Sequence, residues 1–356
     1  MSAPPPTIRY VVLWLTTACN LRCAYCYRGD PPASTMSLEV ARWALELAAA
    51  SGLPFHVQMA GGEPTLEPAL IDAVGRMVRG AGWPATLALQ TNGTLMDPHL
   101  VECCRRHGIG VGLSLDGPPA VQERIRGGAR ATFKGLELLA RRDVPVCITT
   151  VLSSANVEHL GELMLTLAAF PNVRGVGLDP VVLRGGALQL RDATPAEPAL
   201  RSGVRAMQAM HTRVNRLRDT PITWREREAV SKAVAGRNSE NVFCHACRGE
   251  SLAVHPDGSV SPCGQTAGDP AWSVGTVDRV ERAKLISMYR GVRLQGPCES
   301  CPLEGRCPGD CPSRLAGNSG EPFPAMCVIY RTILEGMRCE GSSCVTSVPR
   351  PRSSLL

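Results

Sequence analysis

The chain lacks any stretch of about 18–20 uncharged apolar residues, the length a helix needs to cross a bilayer. Its start, MSAPPPTIRY, lacks the apolar core of an export signal. Together these absences make a soluble, cytoplasmic protein the expectation. Dense runs of Lys or Arg are missing too. The net charge of +6 is spread along the sequence, so nothing favours nucleic acid or a membrane as a partner. No internal repeat is evident. What the chain has in plenty is cysteine, sixteen in 356 residues. In an unexported protein that number argues against a disulfide framework and for thiolate–metal chemistry. The distribution is uneven: three near the start, three in the middle, and ten between Cys244 and Cys344. The length allows one large domain and a smaller one, and 44% hydrophobic content allows a sizeable core.

The first cysteines stand as Ala18-Cys19-Asn20-Leu21-Arg22-Cys23-Ala24-Tyr25-Cys26-Tyr27, a C-x3-C-x2-C spacing. Three thiolates this close can hold three irons of one 4Fe–4S cluster and leave the fourth iron open to a small molecule. That arrangement points to catalysis rather than to electron storage. The other reading is a three-cysteine zinc knuckle, but zinc wants a fourth Cys or His and none lies close by.

Residues 8–16 (IRYVVLWLT) read as a buried parallel strand running straight into the cysteine loop. From there strands and helices alternate. Helices are expected at 37–50, 67–79, 98–107, 131–141 and 157–168, and strands at 54–59, 85–90, 110–115, 145–151 and 173–179. Six such steps suggest an open barrel of parallel strands, with the cysteine loop at the strand C-terminal ends where such barrels build active sites. Residues 184–198 read as a loop and 200–217 and 225–235 as helices. Residues 254–260 read as a hairpin with Asp257-Gly258 in the turn.

The cysteine loop resembles that of the radical S-adenosylmethionine (SAM) superfamily, and further motifs fall in order. Gly61-Gly62-Glu63-Pro64 is similar to the family loop that holds the SAM amino group. Tyr25 is similar to the aromatic residue beside the adenine. Ser114-Leu115-Asp116-Gly117 followed by Arg126 resembles the pattern in which the serine contacts ribose or carboxylate and the arginine the SAM carboxylate. Gln90-Thr91-Asn92-Gly93 matches another family turn, whereas Met59-Ala60 departs from the polar or His residue that relatives often carry. The resemblance implies that the open iron chelates SAM. Electron transfer then cleaves it to methionine and a 5′-deoxyadenosyl radical.

Cys247, Gly258 and Cys263, then C-x2-C-x5-C-x3-C from Cys298 through Cys301 and Cys307 to Cys311, then Cys327, resemble the SPASM domain. Cys244 supplies an eighth residue. The resemblance implies two auxiliary 4Fe–4S clusters, one on Cys244, Cys247, Cys263 and Cys311, the other on Cys298, Cys301, Cys307 and Cys327. A pair of zinc ribbons is the alternative. Cys103, Cys104 and Cys147 are expected to be small buried hydrophobes, and no role is expected for Cys339 or Cys344.

The expected fold is therefore α/β: a partial (β/α)6 radical SAM barrel over 1–180, a helical connector over 181–241, a smaller iron–sulfur SPASM domain over 242–330, and a largely disordered tail over 331–356. The expected cofactors are SAM and three 4Fe–4S clusters. The resemblance implies an oxidoreductase that cross-links or oxidises a side chain of a ribosomally made peptide or a protein. It would be fed by an external donor such as flavodoxin or ferredoxin. With seven residues before the first strand, a leader peptide would bind elsewhere or need a separate binding protein. An anaerobic sulfatase maturase making formylglycine is the nearest rival. Such maturases resemble the chain in several motifs, but place a catalytic aspartate directly after the cysteine of the G-x4-C motif, where this chain has Gly264. Asp116, Asp179 and Asp269 are conceivable general bases, none preferred. A non-catalytic iron–sulfur electron carrier is the rival of another class, and it leaves the three-cysteine site beside a Gly-Gly-Glu loop without a purpose.

Overall fold

The computed structural model describes residues 7–236, 242–289, 298, 301–307, 309–319 and 323–341. The chain opens with β1 (Tyr10–Thr16), α1 (Leu38–Ala49), β2 (Phe55–Gly61), α2 (Pro68–Gly80), β3 (Ala85–Thr91), α3 (Pro98–His107) and β4 (Ile109–Ser114). Two helices follow, α4 (Pro119–Ile125) and α5 (Ala129–Arg141). Then come β5 (Val146–Leu152), α6 (Leu160–Ala168) and β6 (Val173–Pro180). The caps are those the residue types favour. Ser37 accepts the Val40 amide at 3.1 Å to start α1, and Asp97 accepts the Leu100 amide at 2.7 Å to start α3.

Side chains alternate along each strand. Val11, Leu13, Leu15, Val57, Met59, Leu87, Leu89, Val111, Leu113, Ile148, Val176 and Leu178 are buried in one core with the helices. Each such burial contributes about 1.5–3 kcal/mol. The opposite face of the sheet carries Tyr10, Trp14, His56, Gln58, Gln90, Ser114, Cys147, Thr149 and Asp179. Tyr10 on β1 and Asp179 on β6 lie close enough to interact electrostatically, although they belong to strands five places apart in the sheet. Only a curled sheet permits that.

The sheet is larger than the six strands expected. After α7 (Glu197–Asn215), β7 (Thr223–Trp224) joins β6 and leads into α8 (Arg225–Val234). On the other edge β8 (Ser251–Val254) runs parallel to β1, and β9 (Val260–Ser261) pairs antiparallel with β8. The order is β7-β6-β5-β4-β3-β2-β1-β8-β9. The Asp257-Gly258 hairpin of the cysteine-rich segment is thus welded to the barrel sheet. β7 has two residues and β8 is buried throughout, so neither carries a readable alternation. A small ribbon, β10 (Gly275–Thr276) with β11 (Arg279–Val280), precedes α9 (Arg282–Ser287), α10 (Pro312–Gly317) and α11 (Ala325–Gly341).

Residues 331–341, expected within a disordered tail, are helical in α11. Ile329, Ile333 and Leu334 are buried, Gln208 of α7 donates to Ile333 O at 3.3 Å, and Glu335 pairs with Arg201 and Arg205 of α7. The apolar spacing of Met326, Ile329, Tyr330, Ile333, Leu334 and Met337 is helical; the polar segment after it masked the signal. Residues 342–356, with Cys344, lie outside the described residues.

Candidate metal centre and cofactor site

The cysteine loop begins where β1 ends. Thr17 N donates to Ser34 O at 2.8 Å, the Thr17 hydroxyl donates to Pro32 O at 2.6 Å, and Arg28 donates to Thr17 O. Cys19, Cys23 and Cys26 are all half-buried. Leu21 N donates to the Cys19 sulfur at 3.5 Å. Burial pushes the Cys19 and Cys23 thiols up, so loading this loop with a metal must release protons.

The Gly61-Gly62-Glu63 loop lies directly against it. Gly62 N donates to Thr16 O at 2.8 Å and Glu63 N to Ala18 O at 2.9 Å. A Cβ on Gly62 would stand 2.0 Å from Ala18 O, so the approach demands glycine. The Glu63 carboxylate is buried and its oxygens already have donors. One accepts from Thr65 N at 3.1 Å and from the Thr65 and Thr91 hydroxyls at 2.6 Å each. The other accepts from Asn92 N at 2.7 Å. Glu63 therefore ties the Gly-Gly-Glu-Pro loop to the Gln90-Thr91-Asn92-Gly93 turn, and Pro64 starts the short turn that follows.

Ser114 Oγ accepts from Gln90 Nε2 at 3.0 Å. Arg126 donates to the Tyr25 hydroxyl at 2.5 Å and to Asp116 Oδ2 at 3.5 Å, and Tyr25 also donates to Asp116. The Tyr25 side chain is buried in a cluster with Val121, Ile125, Val181, Ala187 and Ala193. Burial pushes Asp116 up while Arg126 and Tyr25 oppose it; its other oxygen accepts from Val151 N at 2.9 Å. With both oxygens engaged, Asp116 anchors the cysteine loop and is no accessible base. Burial raises Asp179 as well, but Arg225 and Arg314 outweigh it and hold the carboxyl low; Arg225 bonds it at 2.8 Å. Asp269 pairs with Arg184 at 3.1 Å.

The C-terminal cysteines gather into two groups. Cys244 and Cys247 lie 3.9 Å apart through their sulfurs. The contact with Cys247, and then burial, push the Cys244 thiol up, with Cys247 and Cys311 among its charged neighbours, and the same contact pulls the Cys247 thiol down. Cys311 is pushed up to about 11 by burial, eased by Arg314 and raised by Cys263. Both Cys263 and Cys311 flank Gln265: its amide donates to the Cys263 sulfur at 3.5 Å, and the Cys311 thiol donates to its side-chain oxygen at 3.4 Å. The second group forms around Cys327, pushed up to about 12 by burial and then by Cys307, Asp310, Cys298 and Cys301. Cys103 and Cys104 are buried as expected, but Cys147 is exposed on the inner face of β5, because the register that buries Val146 and Ile148 turns Cys147 inward. Cys339 is exposed on α11. Cys103 also stands with Asp72 and His107 in a possible ligand cluster, where Arg76 and Arg106 already neutralise Asp72.

Two further residues escaped the sequence reading. Tyr27 lies between the two cysteine regions: burial raises it first, then Cys263 and Cys26. Arg184 reaches from the connector to Asp269. Neither has a spacing that marks it.

The donor set and the cradle fit an open-iron cluster with a small ligand that carries a carboxylate. Three thiols share one loop, a glycine admits the neighbouring backbone, and Arg126 keeps a buried Nε without a hydrogen-bond partner among the described residues. Residues 15–167 match the family model "Radical SAM superfamily". The chain carries a radical SAM domain. Such domains use SAM and a 4Fe–4S cluster. Among similar proteins, an uncharacterized protein of Methanocaldococcus jannaschii is 28% identical over 48% of this chain, and the AdoMet-dependent heme synthase of Methanosarcina barkeri is 34% identical over 42%. These matches span 62% and 44% of those relatives' own lengths. A serine-type anaerobic sulfatase-maturating enzyme of Klebsiella aerogenes is 26% identical over 85% of this chain and 79% of its own. The radical SAM domain and its C-terminal extension share their fold with anSMEcpe solved with bound AdoMet. The TM-score is 0.76 at 18% identity, over 94% of this chain and 98% of that one. Streptococcus suis SuiB bound to S-adenosylmethionine gives a TM-score of 0.64 at 16% identity, covering 90% and 76%. Among the described residues no helix is long and apolar enough to cross a membrane.

Proposed function

We propose that this radical SAM enzyme modifies a side chain of a ribosomally made peptide or a protein, forming a cross-link or an oxidised residue. The observation that carries the reading is the pairing of an open three-cysteine loop with two further cysteine groups around one curled sheet. Cys19, Cys23 and Cys26 would hold the first cluster. Bound there, the cluster would supply the electron that cleaves SAM to methionine and a 5′-deoxyadenosyl radical. Cys244, Cys247, Cys263 and Cys311 would hold one auxiliary cluster, and Cys298, Cys301, Cys307 and Cys327 the other. Both would be electron acceptors for an oxidised substrate.

The chain's own residues would do the positioning. Arg126 would meet the SAM carboxylate through its free Nε–H, a task suited to a guanidinium. Ser114 would contact the ribose or carboxylate. The Glu63 oxygen that accepts only from Asn92 N, together with backbone carbonyls of the Gly61-Gly62-Glu63 loop, would take the ammonium. In this reading 1–180 is the radical SAM unit, 181–241 the connector and 242–330 the auxiliary-cluster module, with α11 returning to pack on α7 and α8.

Peptide chemistry is supported by the fold shared with anSMEcpe, also solved with peptides, and with SuiB, also solved with its precursor peptide SuiA. The maturase reading keeps the support of the Klebsiella aerogenes enzyme; Gly264, where maturases place an aspartate, speaks against it. Anaerobic reconstitution should give about twelve irons, and dithionite should drive 5′-deoxyadenosine formation. About four irons, or two tightly held zincs beside them, would exclude auxiliary clusters. No SAM cleavage would leave an electron carrier. A neighbouring gene for a short Cys- or Gly-rich peptide favours peptide modification; a sulfatase gene favours the maturase.

A further inference from the structure

The connector leaves β6 at Pro180 and passes over the cysteine loop before α7 begins. Gly186 N donates to Cys26 O at 2.9 Å, beside Gly29 N at 3.3 Å on the same oxygen. The approach is closed to side chains. A Cβ on Gly186 would stand 2.7 Å from Ala24 O and 3.4 Å from both N and O of Cys26. One on Gly185, at φ +54°, would stand 2.6 Å from Cys26 O and 2.7 Å from Tyr27 O. The same segment is held from the other side by α10. Leu183 N donates to Asn318 Oδ1 at 2.9 Å, Asn318 Nδ2 donates to Val181 O at 3.0 Å, and Arg314 donates to Pro180 O at 3.5 Å. Gly317 lies against Val182. Arg184 bonds Asp269 at 3.1 Å with its guanidinium carbon 5.8 Å from the Trp272 ring centre. Cys311 is the residue that starts α10. A six-residue helix therefore has a C-terminal cysteine at one end and the anchors of the segment at the other.

We propose that residues 180–186 are a strap through which the C-terminal module positions Cys26, with Asn318 and Arg184 as positioning residues. The inference rests on the reading of Cys26 as a ligand of the SAM-binding cluster. The strap bonds the backbone of that ligand, not its sulfur, and so sets where the sulfur points. It is anchored on residues that belong to the other cysteine module. Loosening either anchor should loosen the barrel cluster while the fold survives. Outer contacts of this kind typically change metal retention by about 10- to 100-fold.

The test compares the full-length reconstituted protein with Asn318→Ala, Arg184→Ala and Gly186→Ala. Two quantities are read: the rate at which a chelator removes iron, and the SAM-sensitive part of the electron paramagnetic resonance spectrum after reduction. Asn318→Ala and Gly186→Ala should each speed loss of about four irons at least tenfold and alter the SAM-sensitive signal. Arg184→Ala, at a partly exposed pair, should do the same to a lesser degree and should fold even where Gly186→Ala does not; Arg184→Lys should restore the native behaviour. A contact that only stabilises the fold would lower the melting temperature and leave both readouts in place. That result in Asn318→Ala and Arg184→Ala overturns the strap. Absence of any SAM-sensitive signal in the native protein overturns the cluster reading itself, and the strap with it.

Discussion

Replacing Glu63 by Gln tests whether this carboxylate acts on the ligand or on the fold. In the structure it receives four hydrogen bonds, two of them from the main-chain amides of Thr65 and Asn92. A glutamine keeps one oxygen. If its NH2 takes the place facing Asn92 N, two donors meet; if it takes the other place, it meets Thr65 N. The Thr65 and Thr91 hydroxyls can rotate away, but neither amide can. One buried donor is therefore always left without an acceptor, at a cost of about 1–3 kcal/mol, and the surviving bonds lose their charge assistance. The expected destabilisation is about 2–4 kcal/mol in protein stripped of iron and without SAM. It should show in the urea midpoint at unchanged slope. SAM affinity should fall as a consequence. Thr91→Val, which removes one hydroxyl donor and also the acceptor of the buried Gly93 amide, should cost about 2–4 kcal/mol. Unchanged stability of the stripped Glu63→Gln protein together with weakened SAM binding would refute the reasoning, because the carboxylate would then be working on the ligand alone.

Tyr25→Phe removes the hydroxyl between Asp116 and Arg126 and should cost about 1–3 kcal/mol in urea unfolding; a neutral result would mean the 3.5 Å pair suffices alone. Gly62→Ala drives a Cβ into Ala18 O, which cannot yield without moving the cysteine loop. About four of the irons should be missing after reconstitution, and a full complement would contradict the packing. Burial holds His56 and His255 below the usual histidine range. On these two side chains the unfolded chain therefore takes up protons first, and their contribution to stability should be level above about pH 6.5 and fall as the pH drops toward the folded values. His255→Phe keeps the stack on Trp14 and should flatten part of that fall; urea titrations at pH 7.5 and 5.5 that show equal losses in both proteins would count against it.

The local chemistry was legible along the chain. C-x3-C-x2-C, Gly-Gly-Glu-Pro and the later cysteine spacings lie close together in sequence, and the six long strand–helix steps have periods that show which faces are buried. The short elements were not legible. β7, β8 and α10 are too brief for a period, and they exist because the sheet edge and the cysteine module hold them. Residue types also left contacts open that only packing supplies. A buried Glu63 serves whichever donors surround it, and two of the four, from Thr91 and Asn92, come from a turn twenty-eight and twenty-nine residues later. Tyr25 is only an aromatic in the sequence, and the fold brings its side chain together with Val121 and Val181. Cys147 looks like any small apolar strand residue until the register turns it inward. The strap from Pro180 to Gly186 carries no motif at all. Its partners, Cys26 and Asn318, are brought to it from far along the chain in both directions, and only the tertiary structure decides that they meet.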